Sequence, residues 1–162
     1  MKLKYINAAL LLIVTFAAIS CADKTIVDTN PERPKYDPSP TVVVERFLRA
    51  LQQENFKEAY KYSYAPSIDE AGYVIQMRKL YKDNDIRINN FEVIGVQIYE
   101  FSSTVAVELD QTLKSPTTGQ VTNLNQKSRY SLGLFDKKWK VTGGDCFENC
   151  VEEAVPEIEI TE

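Results

Sequence analysis

From Pro40 onward the apolar residues fall at helical spacing, and from Ile86 they fall at every second position. Ser39-Pro40 joins a cap residue to a proline at the first helical position. Val44, Phe47, Leu48 and Leu51 follow at i, i+3, i+4 and i+7, one apolar stripe. After Glu54-Asn55 a second, short helix is predicted with Phe56, Ala59, Tyr60 and Ser63 on one side, ended by Pro66. Ser67-Ile68-Asp69-Glu70 reads as a capping box. It opens a third helix in which Val74, Met77 and Tyr81 share a face, until Asp83-Asn84-Asp85 breaks the pattern.

The period then becomes two. Residues 86–101 form a long apolar strand with Gly95 inside it, the mark of a bulge. Val105, Val107, Leu109 and Leu113 alternate with Thr104, Glu108, Asp110 and Thr112 along the next strand, and residues 115–119 make a turn. Leu124, Tyr130, Leu132 and Leu134 alternate along a third strand, and Trp139 and Val141 lie on a last one after Asp136-Lys137-Lys138. Three helices followed by an antiparallel meander of about four strands is an α+β pattern, with the helices packed on one face of a curved sheet.

The remainder of the chain reads differently. Lys2 and Lys4 precede an apolar stretch of about 14 residues, Ile6 to Ile19, interrupted only by Asn7 and Thr15; it is short of the roughly 18–20 that span a bilayer, and small residues close it. Residues 1–20 therefore read as a secretory signal peptide. Ala18-Ile19-Ser20-Cys21 resembles the lipobox of bacterial lipoproteins, with Ala18 where a leucine is usual. The resemblance implies a diacylglycerol thioether on Cys21, which becomes the new N-terminus, and often an N-acyl chain. Two acyl chains anchor stably, each buried methylene contributing about 0.8 kcal/mol. Ala22 follows, not the aspartate that keeps many lipoproteins at the inner membrane, so the expected place is the bacterial outer membrane, on its periplasmic or surface face. Residues 21–40 hold four of the seven prolines in a polar setting and read as a tether. As a flexible coil it would hold residues 41–144, the expected domain, roughly 20–25 Å from the lipid.

Charge narrows the function. Residues 41–144 carry 14 basic and 12 acidic side chains, whereas residues 145–162 carry seven acidic and none basic. A near-neutral domain with an acidic tail excludes nucleic acid as a partner, because that needs a concentrated basic face. The chain contains no histidine, which removes the commonest general base and metal ligand. No cofactor or metal is expected. Of the three cysteines, Cys21 is assigned to lipid, leaving Cys146 and Cys150 as a pair. A disulfide suits an exported chain best. A redox-active dithiol is the alternative, although the surrounding acids would raise its thiol pKa values.

The stretch PTVVVERFLRALQQENFKEAYKYS, with the later KKWKVTGG, resembles the nuclear transport factor 2-like (cystatin-like) superfamily, and in particular its small bacterial lipoproteins of unassigned function. The likeness covers roughly residues 40–144. It implies a cone of curved sheet wrapped on helices, often with a pocket between them. Some members are isomerases, dehydratases or hydrolases, but a fold does not transfer an activity.

Glu108 and Asp110 are the carboxylates to weigh for catalysis, and their parity points them to solvent, away from the apolar side. No acid–base pair is read. Tyrosines crowd residues 60–81, and Tyr60, Tyr64 and Tyr73 are candidates for a pocket wall with orienting hydroxyls. Gln126 and Ser128 share the parity of Tyr130, so these three are candidates for the concave face. The leading expectation is a lipid-anchored, non-catalytic domain that binds a small apolar ligand or an envelope protein. The alternatives are an isomerase- or hydrolase-type enzyme with its site in the cone, and a structural envelope module using the acidic tail of residues 145–162.

Overall fold

A computed structural model describes residues 25–28 (backbone only), 38–114 and 118–150. The order is β1 (Thr25–Asp28), α1 (Pro40–Gln52), α2 (Phe56–Tyr62), α3 (Glu70–Asp83), β2 (Arg87–Ile98), β3 (Ser102–Lys114), β4 (Val121–Phe135) and β5 (Lys138–Glu148). The strands make one sheet in that same order, β2 to β5 antiparallel and β1 parallel to β2. Three helices cover one face, so the α+β architecture expected from the period change is the one observed.

Alternation decides which face is covered. Val105, Val107 and Leu109 of β3 are buried, as are Val93 and Val96 of β2, Leu132 of β4, and Trp139 and Val141 of β5. Against them lies the α1 stripe of Val43, Val44, Phe47, Leu48 and Leu51, with Phe56 and Ala59 of α2. Ser39 caps α1 and Pro40 opens it, as their order in the sequence requires. Gly95 sits at a register irregularity of β2, where a residue without a side chain weakens the strand least.

Four local expectations are corrected. Asp69, not Ser67, caps α3: its carboxylate accepts from the Gly72 amide at 2.8 Å. A turn closed by the Ile68 amide on the Ala65 carbonyl takes up Ser67 first, and aspartate caps as well as serine. Ser63 lies outside α2, because its extended backbone bridges Val141 of β5 and the Tyr64 amide donates to the Val141 carbonyl. The tether assigned to residues 21–40 is interrupted by β1, whose Thr25–Asp28 backbone pairs with Gly95 through Ile98 and adds a fifth strand. Finally, β5 runs to Glu148, four residues past the expected domain end at 144, because Arg129 and Lys127 of β4 offer partners to Asp145 and Glu148.

Candidate functional site

The strip that faces the helices contains polar groups as well as apolar ones. In the β3–β4 register Val105 stands opposite Tyr130, Val107 opposite Ser128 and Leu109 opposite Gln126. Cross-strand partners share a face, so all three β4 residues stand on the helix side. Ser128 is 5% exposed, and the Gln126 amide donates to its hydroxyl at 3.0 Å. That bond gives the Ser128 oxygen a donor.

The tyrosines divide into three settings. Tyr60 and Tyr73 meet at a ring separation of 5.3 Å; the Tyr60 hydroxyl donates to the Ile68 carbonyl, and the Tyr73 and Ser63 hydroxyls are hydrogen-bonded at 3.2 Å. Both are spent on holding the α2–α3 corner. Tyr64 lies outside, stacked flat on Phe135 at 3.9 Å. Tyr60 and Tyr64 line an open recess of about 720 Å³ between that corner and the β4–β5 hairpin. Lys140 also lines it, its amine pushed down by burial and then by Lys138 while it donates to the Lys61 carbonyl.

Tyr81 and Tyr130 are the third setting. Tyr81 packs edge-on against Phe56 of α2, and Tyr130 edge-on against Phe47 of α1. Burial pushes the Tyr130 hydroxyl up to about 12. Tyr81 is raised further, first by burial and then by the neighbouring Tyr130 and Tyr73. Both therefore stay neutral at ordinary pH and are hydrogen-bond donors. Among the described residues neither hydroxyl has a hydrogen-bond partner, in contrast to Tyr60, Tyr62 and Tyr73. Tyr81 reads from sequence as a core residue, which it is; its unpaired hydroxyl is the part that spacing did not disclose.

The carboxylates stand elsewhere. Glu108 lies opposite Glu92 and Lys127, and Asp110 opposite Asn90 and Asn125, on the outer face of the sheet. Asp110 accepts from the Asn89 amide at 3.3 Å. Lys127 is held by Glu148, whose hydrogen bond raises the amine's pKa. This face is the opposite one from Tyr81 and Tyr130, so Asp110 cannot act in concert with them. Among the described residues no group of three or more histidine, cysteine or acidic side chains could hold a metal ion. None of their helices is long and apolar enough to cross a membrane.

Cys146 and Cys150 are joined in a disulfide, their Cα atoms 5.6 Å apart. Between them Phe147 lies beneath the Arg129 guanidinium, 4.6 Å from its ring centre. The two line a recess of about 290 Å³ on the outer sheet face, floored by Gly95 and Ala106. Cys21 lies outside the described residues, as does the acidic tail beyond residue 150.

No protein-family model matches the chain, and no curated protein does. Solved structures are similar at the level of fold. A ketosteroid isomerase-like protein from Erwinia carotovora atroseptica is 12% identical with a TM-score of 0.49, over 64% of this chain and 88% of the other. A nuclear transport factor 2-like protein from Cytophaga hutchinsonii is 14% identical with a TM-score of 0.48, over 67% and 93%. A nuclear transport factor 2-like superfamily protein from Salmonella enterica is 10% identical with a TM-score of 0.45, over 72% and 92%. At such identities the chemistry must be argued from this chain's own residues.

Proposed function

We propose that this chain is a lipid-anchored bacterial envelope protein whose domain holds a small apolar molecule between its helices and the covered face of its sheet. One observation carries the binding half of this reading: Tyr81, buried, and Tyr130, half-buried, present neutral hydroxyls without a partner among the described residues. Leaving a buried donor unmade costs about 1–3 kcal/mol. A ligand with a carbonyl or hydroxyl oxygen would recover that cost, while Phe47 and Val105 beside Tyr130 and Phe56 beside Tyr81 suit an apolar body. The open recess that Tyr81 lines with Glu54, Arg78 and Arg87 gives a polar way in. Neutral tyrosines favour an uncharged acceptor over a cation.

We read the arrangement as one for binding, and the position of the candidate base supports that reading. A general base must lie within hydrogen-bond reach of the proton it takes, and Asp110 is on the other side of the sheet. What supports the anchor half is the sequence of residues 1–21, with its basic start, short apolar run and lipobox-like end.

Native mass spectrometry of the full chain, purified in mild detergent, tests the ligand. A dissociable extra mass of a few hundred daltons is expected, and it should be lost or reduced at least tenfold in Tyr130→Phe. A wild-type protein that never carries such a mass, even when purified from its own membranes, overturns the reading.

A further inference from the structure

Strand β1 changes how an anchored domain would stand on its membrane. Residues 22–24 are all that separate Cys21 from Thr25. Four residue steps reach about 13–14 Å at full extension, well short of the 20–25 Å expected from a free tether of residues 21–40. The prolines of residues 29–40 lie after β1, so they connect β1 to α1 and add nothing to the stand-off.

The β1 edge leads to an exposed aromatic tip. β1 runs about 10 Å alongside β2, and its last pair is Asp28 with Ile98, next to Tyr99. Tyr99 and Phe101 flank Glu100 in the β2–β3 hairpin and are 45% and 66% exposed. The turn beneath them is fixed: the Tyr99 amide donates to the Ser102 carbonyl at 2.8 Å, and the Phe101 carbonyl accepts from the Leu134 amide at 2.9 Å. Two exposed aromatics on a fixed turn are an unfavourable ending for a hairpin in water, whereas a membrane interface accommodates them.

We infer that the β1 edge lies against the bilayer and that Tyr99 and Phe101 enter the lipid surface. This rests on the lipid anchor proposed above for Cys21. Glu100, carried between the two rings, fits a zwitterionic surface better than an anionic one.

The test uses the full lipidated chain in phosphatidylcholine vesicles. The native chain has one tryptophan, Trp139, which is 4% exposed in the core and supplies a constant baseline. In Phe101→Trp, replacing part of the lipid by acyl-brominated phosphatidylcholine should quench the added emission at least twofold. In Val121→Trp, an exposed position at the other end of the sheet, it should quench little.

Vesicles that float with the protein while the Phe101→Trp signal is unquenched overturn the contact and leave the anchor standing. A second copy or a protein partner covering the tip would give that result. Equal quenching at both positions overturns the stated orientation. If the protein does not float with the vesicles, the anchor reading itself fails, and the contact with it.

Discussion

At the scale of single residues the molecule is governed by which polar groups find partners. Gln126 donates to Ser128, Ser63 and Tyr73 share a hydrogen bond, and the Ile68 carbonyl takes the Tyr60 proton. Tyr81 and Tyr130 are left over, and desolvation keeps both protonated beyond the usual range. Their folded values lie above the unfolded value of about 10, so ionising them opposes folding. The stability they carry is complete below pH 10 and is lost as pH rises towards 12 and beyond. Melting temperature should therefore stay flat on this account up to about pH 10 and fall above it. In an absorbance titration of the eight tyrosines that remain from Cys21 onward, two should ionise only together with alkaline unfolding. Eight tyrosines titrating as one ordinary group, with the fold intact, would contradict the burial described.

At the scale of elements, short-range geometry fixes the turns. The β4–β5 hairpin closes on Phe135 and Lys138 with only Asp136 and Lys137 between them. Both have positive φ, 48° and 62°, as a two-residue turn matched to sheet twist demands. Aspartate tolerates that region, whereas lysine does so at a cost of roughly 1–2 kcal/mol. Lys137→Gly should stabilise the protein by about 1 kcal/mol in urea denaturation, since the glycine's extra unfolded-state entropy offsets part of the relief. A loss of stability would mean that the lysine side chain holds the turn in some other way. The helices are graded too. α1 lies across the sheet, whereas α3 packs mainly on α2 through Tyr81 and Tyr73 and leaves Ile75 and Leu80 exposed.

At the scale of the whole molecule, the first and last described segments are fastened to one sheet. β1 adds a parallel edge strand, and the Cys146–Cys150 bond closes the chain just past β5. So short a loop stabilises by about 2 kcal/mol through chain entropy alone. Cys146→Ser should lower global stability by that amount or less. It should also loosen Phe147 from Arg129, readable as faster amide exchange at residues 145–150 than in the oxidised protein. Exchange rates there that do not change would show that the Lys127–Glu148 ion pair, at 2.9 Å, suffices to hold the end.

What the sequence by itself determined is whatever depends on local period and local chemistry. The α1 stripe, the period-two strands, the Gly95 irregularity, the inward parity of Gln126, Ser128 and Tyr130, and the outward parity of Glu108 and Asp110 follow from side chains repeating at 3.6 or 2.0 residues. Only the tertiary structure decided between equivalent local solutions and joined distant segments. Asp69 outcompeted Ser67 because a turn over Pro66 had already used the serine's position. Thr25–Asp28 became a strand because β2 offers an edge some 70 residues downstream, which no local pattern in a polar, proline-rich stretch announces. The unpaired state of Tyr81 and Tyr130 was hidden for the same reason. A hydroxyl's partner is a matter of position across α1, α2, α3 and β4, and spacing along one chain cannot specify it.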